Sequence, residues 1–528
     1  MPEPDLQSAN AAIDAGHSVV RRAVRNLAET GSVDADQVVA YDLAHAAAAI
    51  ETARSMMDYG AKGEIEARLT CVFVADVIAG LAAKLWAREP LWGCGADALS
   101  STAEFVARWR HPETLADLAF KDGSRHLDDE FELVQDTFRR FAREQVAPVA
   151  EHIHRANADI PESLIEGLAE MGLFGLSIPE VYGGFASGGE SDYYGMVIAT
   201  EELSGASLGA AGSLITRPEI LARALEAGGT EEQKQTWLPR LASGEIMNAV
   251  AVTEPDYGSD VAAIKFSGTR TDGGWLLNGV KTWCTFAARA DVLMVLARTN
   301  PDRSLGHRGL SIFIVPKDRG DGHGFELSQP SGGRMEARPI DTIGYRGMHS
   351  YELAFDSWFV PAENLIGGDD GEGRGFYYQM AGFENGRLQT AARAIGVMQA
   401  AYNAAKTYAE NRVVFGSPIA DYQLTRAKLT RMAALIQASR QFAYSVGRMM
   451  AKGDGKMEAS MVKAYVGKAA EWVAREAMQI HGGMGYAEEF AVSRYYLDAR
   501  VLSIFEGADE TLCLKVIART LVNQANDG

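Results

Sequence analysis

The sequence predicts an α+β fold in which helices, then a sheet, then helices follow one another along the chain. Three observations carry this. Residues 1 to about 245 follow a helical pattern, Ala-rich up to about residue 125, short β-rich runs divided by Gly, Asp and Pro begin at Ile246, and the helical period returns after Gly375. An alternating α/β chain would interleave these patterns instead of segregating them.

Taken in order, residues 1–125 read as a helical N-terminal extension, with Asp34 to Arg54 and Glu64 to Trp86 as two long helices. The polar stretch Lys121 to His126 reads as a linker. Residues 126–246 read as a helical domain, broken at Ser177-Ile-Pro-Glu-Val-Tyr-Gly-Gly184, where Pro and paired Gly force a loop. Residues 247–366 read as a β domain with strands at Ala249–Val252, Trp275–Leu277, Val292–Ala297, Leu310–Val315 and Tyr351–Phe355. Residues 367–528 are helical again; Leu388, Ala392, Ile395, Met398 and Tyr402 share one apolar face. Gln37 to Arg54 lays without gaps on Gln423 to Arg440, which fits two unrelated amphipathic helices as well as it fits a partial duplication.

At 528 residues and 47% hydrophobic, the chain can fill several cores. Its formal charge of −19 argues against nucleic-acid binding, because a phosphate backbone rewards positive charge. Any anionic ligand must be met by locally placed Arg. Cys71, Cys94, Cys284 and Cys513 form no close pair, so neither a disulfide scaffold nor a thiolate metal site is indicated and a reducing cytosol fits. Met1 to Asn10 lacks the pattern of a targeting segment, and Leu69 to Ala83, interrupted by Asp76, is too short to span a bilayer. A cytoplasmic protein with no membrane partner is expected.

Neither the common dinucleotide fingerprint nor the P-loop occurs, and Gly320–Gly324 and Gly371–Gly375 have the spacing of plain loops. His152 and His154 are the only close histidine pair and read as solvated on a helix; no metal site is expected. Three segments hold more chemistry. In Val252-Thr-Glu-Pro-Asp-Tyr-Gly-Ser-Asp260 a strand ends in a loop that exposes amides and hydroxyls, which suits a planar ligand, a phosphate or a simple surface turn. In the segment from Tyr408 to Gln423, Arg412 closes a helix before Phe415-Gly416, placed either to pair with a pyrophosphate or to cap the helix. In Gln479-Ile-His-Gly-Gly-Met-Gly-Tyr486 and Ile504-Phe-Glu-Gly-Ala-Asp-Glu510, glycines permit close approach to a flat ligand. Glu506, between Phe505 and Gly507, is either a desolvated general base or a solvated helix end.

Together, in order over about residues 127 to 520, these segments resemble the acyl-CoA dehydrogenase family. Further matching stretches are Ile178-Pro-Glu-x-Tyr-Gly-Gly184, Lys281-x-Trp283-x-Thr285 and Val360-Pro-Ala-Glu-Asn-Leu-Ile-Gly367. The resemblance implies a helical domain, a middle β domain and a C-terminal four-helix bundle, with FAD as cofactor and an acyl-CoA thioester as substrate. Val252, Thr253 and Ser259 match positions at the flavin, with Ser259 also near the substrate, and Trp283 and Thr285 match the pair beside its ring system. Arg412, Phe415, Gln423, Gln479, Gly482 and Gly483 match positions at the pyrophosphate and adenine, partly of a neighbouring subunit; Ala508 and Glu510 complete the cofactor set. Ala508 stands where the family usually has Thr, and Phe286 where it usually has Asn.

The implied reaction is α,β-desaturation, with Glu506 as base and, through its backbone N–H, as a polariser of the thioester carbonyl. Some members carry the base on an earlier helix, but the matching position here is Gly386. Arg387 and Glu384 match positions toward the CoA chain, Gly507 adjoins the base, and Thr216 and Arg217 begin the helix expected to line the acyl end of the pocket. Arg217 there either meets a distal carboxylate or points to solvent. The N-terminal extension and Gly344-Tyr-Arg-Gly-Met-His-Ser350 resemble a member of the family that acts on a short, α-branched dicarboxylic monothioester, and that resemblance implies (2S)-methylsuccinyl-CoA, oxidised to mesaconyl-CoA. Electrons are expected to pass to an electron-transfer flavoprotein, and the assembly to be a homodimer. A short-chain alkyl dehydrogenase and an acyl-CoA oxidase are the alternatives, with a DNA-binding flavoprotein more remote.

Overall fold

The computed structural model describes residues 2–320 and 323–527; Asp321 and Gly322 of the Gly320–Gly324 loop lie outside them. The chain divides into two units, one of residues 1–137 with 390–528 and one of residues 138–389.

The first unit joins the two ends of the chain. Three long helices, α1 (Leu6–Thr30), α2 (Gln37–Gly60) and α3 (Glu64–Leu85), form the extension. They agree with the two expected helices and add one before them. The α1–α2 crossing is close: a Cβ at Gly16 would meet Ile50 Cδ1. α3 buries Leu69, Cys71, Val72, Phe73, Val74 and Ala75 in succession, so it is enclosed on nearly every side. It lies against the helix Gln423–Ala451, and α2 packs on that helix and on Lys456–Ile480. The two segments that align in sequence, Gln37–Arg54 and Gln423–Arg440, therefore both start helices at their first Gln and pack against each other. The helix Gly375–Asn411 enters this unit at Thr390, and Ala392, Ile395, Met398 and Tyr402 are all buried as their spacing required.

The second unit holds an eight-stranded sheet. Its strands are β1 (Asn248–Ala251), β2 (Ser267–Thr271), β3 (Gly274–Thr285), β4 (Val292–Arg298), β5 (Leu310–Pro316), β6 (Phe325–Ser328), β7 (Arg334–Ile340) and β8 (Ser350–Pro361). They run in the order β1-β4-β2-β3-β8-β7-β6, with β5 paired to β4. β4 is buried at every position and β5 at all but Pro316, which explains their continuous apolar runs. Leu221 and Leu225 of the helix Thr216–Gly228, with Leu238 and Leu241 of the next helix, pack with Met294, Leu296, Ile312 and Ile314 in one core cluster. β2, β6 and β7 were not expected from sequence. Ser-Gly-Thr-Arg-Thr and Arg-Met-Glu-Ala-Arg-Pro-Ile keep most positions partly or fully exposed, so they lack the apolar content that marks a strand.

The histidine pair is corrected in part. Two residues apart on a helix puts the rings on different faces, and while His152 is exposed, His154 is buried.

The Pro/Gly loop after Ser177 folds back on itself: Phe185 N–H donates to Gly175 O at 2.9 Å and Ala186 N–H to Ile178 O at 2.9 Å. A Cβ on Gly184 would overlap the Ile178 carbonyl oxygen and approach Gly175 O to 2.8 Å. Gly184→Ala should therefore destabilise this unit by about 1–3 kcal/mol, read as a lowered thermal unfolding midpoint.

Candidate active site

In the sheet unit, the expected residues gather where β1 ends beside β3. Val252 and Thr253 follow β1 directly, Val252 buried and Thr253 half-buried. Thr282 N–H donates to Thr253 O at 2.8 Å, which ties that strand end to β3. Lys281, absent from the sequence-derived set, secures the junction. Fully buried, its Nζ donates to Val252 O at 2.9 Å and to Glu254 Oε1 at 3.0 Å. Glu254 in turn accepts the backbone N–H groups of Lys265 at 2.8 Å and Phe266 at 2.9 Å.

The β3–β8 pairing slips between Lys281 and Cys284. This irregularity puts Trp283 at φ +58° and leaves it 55% exposed, while its neighbours Thr282 and Cys284 stay buried. Phe286, also at positive φ, donates its N–H to His349 O at 2.8 Å and fills a buried position where a polar residue was the family expectation. Thr285 Oγ1 and Ser350 Oγ share a hydrogen bond of 3.0 Å across β3 and β8.

Arg217 is 5% exposed, which excludes the solvent-pointing alternative. Its guanidinium donates to Thr216 Oγ1 at 2.8 Å and to Thr285 O at 3.2 Å, so it lies directly beside the strand bearing Trp283 and Thr285. On the same helix, Glu219 is buried, accepting from Asn385 Nδ2 at 2.5 Å and from Gln389, with Arg223 Nε at 3.9 Å. Burial holds its carboxyl above the ordinary range despite the Arg223 charge. Sequence gave no signal for this carboxylate, because its partners lie more than 160 residues away. They flank Gly386, while Glu384 and Arg387 on that helix are half-buried and Ser259 is exposed.

In the helical unit, the remaining residues fall into two groups. The first is exposed: Arg412 and Phe415 lie at the hairpin after Gly375–Asn411, Gln423 opens the next helix, and Gln479, Gly482 and Gly483 lie at the end of Lys456–Ile480. A stack of Tyr408 on His481, 4.3 Å between centroids, brings the two segments together. Phe415 is 99% exposed at φ +49°, Arg412 has no ion pair among the described residues, and nothing lies within 4 Å of a Cβ built on Gly482 or Gly483.

The second group surrounds Glu506. Glu506 is half-buried in the left-handed conformation, φ +54°, and Gly507 follows at φ +95°. A non-glycine residue held there costs about 1–3 kcal/mol of strain, so its surroundings must fix it. Lys463 Nζ donates to Gly507 O at 2.6 Å, Asp509 N–H donates to Ser503 O at 3.1 Å, and Arg393 lies over the Phe505 ring at 5.0 Å. Among the described residues, Glu506 Oε2 is buried without a hydrogen-bond partner and its N–H has no acceptor. Ala508 is half-buried and Glu510 exposed.

Comparison with known proteins identifies the family. Models of the acyl-CoA dehydrogenase N-terminal, middle and C-terminal domains match residues 128–245, 249–358 and 373–521. The chain belongs to the acyl-CoA dehydrogenase family. A (2S)-methylsuccinyl-CoA dehydrogenase of Cereibacter sphaeroides is 44% identical over 403 residues, 76% of this chain and 71% of that protein. A mitochondrial 2-methylacyl-CoA dehydrogenase of Solanum tuberosum is 37% identical over 75% of this chain and 91% of its own length. Among solved structures, butyryl-CoA dehydrogenase from Megasphaera elsdenii aligns with a TM-score of 0.67 at 30% identity, covering 75% of this chain and 99% of that one. A glutaryl-CoA dehydrogenase in complex with glutaryl-CoA gives 0.68 at 30%, covering 76% and 98%.

Acyl-CoA dehydrogenases are FAD-dependent oxidoreductases acting on the CH–CH bond of acyl-CoA, and this chain's residues fit the cofactor. Trp283, turned out by the strand irregularity, offers a flat face; Gly482 and Gly483 leave open backbone for a close approach; Arg412 presents an unpaired guanidinium suited to a pyrophosphate.

Burial pulls Lys281 down to about 8 from its ordinary 10.5, against the attraction of Glu254. Between those values the unfolded chain holds the extra proton, so stability should rise as pH climbs from about 8 toward 10.5. Lys281→Met should abolish that rise, cost about 3–5 kcal/mol by leaving Glu254 without its buried cation, and weaken FAD retention. Unfolding against pH and flavin absorbance after gel filtration measure these effects.

Proposed function

We propose that this enzyme dehydrogenates (2S)-methylsuccinyl-CoA to mesaconyl-CoA and passes the electrons to an electron-transfer flavoprotein. Arg217 carries the substrate reading. A buried guanidinium beside the Thr285 carbonyl is out of place in a pocket meant for plain alkyl chains, whereas a desolvated distal carboxylate needs such a fork; Thr216, whose hydroxyl donates to Ser213 O at 2.6 Å, accepts from the guanidinium and orients it. The name of the Cereibacter sphaeroides relative points the same way.

In this reading Glu506 takes the α proton. An unpartnered buried carboxylate oxygen is stripped of the water that would otherwise stabilise its charge, and its spare N–H is available to the thioester carbonyl as negative charge develops there. When bound, FAD supplies the acceptor for the β hydride. The exposed Arg412, Phe415 and Gln423 fit a role toward the FAD of a second copy, so we assign a homodimer, with α1 to α3 covering helices that would otherwise face another pair of subunits.

Glu506→Gln keeps size and backbone N–H. It should retain FAD and bind thioester while slowing flavin reduction roughly 10²- to 10⁴-fold, as followed by rapid mixing without oxygen. A parental rate would remove Glu506 from the base role.

Substrate choice is tested by comparing methylsuccinyl-CoA with 2-methylbutyryl-CoA and butyryl-CoA in the parent and in Arg217→Met. The parent should prefer the dicarboxylate, and the variant should lose about 2–5 kcal/mol of that discrimination. A parental preference for either alkyl thioester overturns the assignment.

A further inference from the structure

The N-terminal extension reaches the segment that carries Glu506. Tyr41 and His45, four residues apart on α2, present their side chains on one helix face, with rings 4.7 Å apart. Both end on a single carboxylate oxygen of Asp509: Tyr41 Oη lies 2.5 Å and His45 Nε2 3.0 Å from Oδ2. Lys468 Nζ stands 3.6 Å from the same oxygen and Cys513 Sγ 3.9 Å from Oδ1. Asp509 is 4% exposed, so these groups replace its water. Burial alone would raise its carboxyl; the bonds from His45 and Tyr41 and the Lys468 charge more than offset this and hold it below the ordinary range.

Asp509 is three residues from Glu506, and its own N–H closes the turn onto Ser503 O at 3.1 Å. The loop between therefore has two anchors. Lys463 holds it at Gly507 O from within the bundle, and Asp509 is held from the extension. A metal is a poor reading of the His45, Asp509 and Cys513 grouping, because the Lys468 ammonium already occupies the carboxylate and burial pushes the Cys513 thiol well up.

We propose that Tyr41 and His45 are positioning residues for Glu506: by gripping Asp509 they hold the left-handed turn that presents the carboxylate and its backbone N–H. The inference rests on Glu506 being the base. It gives the extension a part in the chemistry without contact with substrate or cofactor.

The test uses full-length flavinated enzyme carrying Tyr41→Phe, His45→Ala or His45→Gln. Flavin reduction at saturating methylsuccinyl-CoA, thioester affinity, thermal midpoint and amide exchange across residues 503–512 are measured for each. In Tyr41→Phe and His45→Ala, reduction should slow roughly 10- to 100-fold with FAD content and thioester affinity unchanged. Exchange in 503–512 should quicken at least about tenfold. His45→Gln, which keeps a donor for the carboxylate, should restore most of both. Parental reduction in the folded Phe and Ala variants overturns the proposal, whatever their exchange; so does a defect that His45→Gln shares in full, or slow reduction with parental exchange. Should His45→Ala fail to fold, Tyr41→Phe, which deletes one hydroxyl, decides alone. Glu506→Gln in the same assay separates the two ideas. A parental rate there overturns the base assignment and the clamp's purpose with it, whereas slow reduction there beside parental rates in the Tyr41 and His45 variants overturns the clamp alone.

Discussion

A lysine sealed from water must satisfy its ammonium inside the protein, and the partners that Lys281 finds fix the edge of the sheet on which Val252, Thr253 and Trp283 depend. One bond holds the first carbonyl after β1 and another holds Glu254, which itself gathers the chain before β2 through two backbone N–H groups. Three separate pieces of backbone thus converge on one ion pair. The pairing of β3 with β8 slips immediately beyond it, and the strand can tolerate that slip because the lysine has already pinned one side. Trp283 owes its outward direction to the slip, so the aromatic face follows from a buried charge two residues away.

The helical unit solves a related problem with different means. Glu506 and Phe415 are both non-glycine residues in the left-handed region, and both are functional candidates. Their support differs. Phe415 stands almost entirely in solvent. Glu506 is enclosed, with a lysine on the carbonyl after it and a held carboxylate three residues on.

How much of this was legible depended on whether the information was local. The order of helices, sheet and helices could be read because β4 and β5 are buried on both faces and so write continuous apolar runs, and because Leu388 to Tyr402 repeat at the helical period. β2, β6 and β7 escaped notice since their exposed faces carry Arg, Glu, Ser and Thr. Motif order identified the residues around Thr253, Trp283 and Arg412. It offered nothing on Glu219 or the grip on Asp509, and it named Lys281 without a role; the meaning of all three lies in partners 27 to 468 residues distant. Arg217 was ambiguous for the same reason: only the Thr216 hydroxyl and the Thr285 carbonyl reveal that it points inward.

The enclosure of α3 has a consequence for how the chain is made. A helix that is apolar on nearly every side finds its full cover only when the helix Gln423–Ala451 exists, about 340 residues after α3 ends. At roughly 5–20 residues per second of synthesis, α3 waits some 20 to 70 s for its partner while the whole sheet unit is being made and folded. During that interval α1, α2 and the helix Ala103–Trp109, which also packs on α3, are the part of its native cover already made. The extension therefore holds a helix whose native packing is completed only by chain made much later.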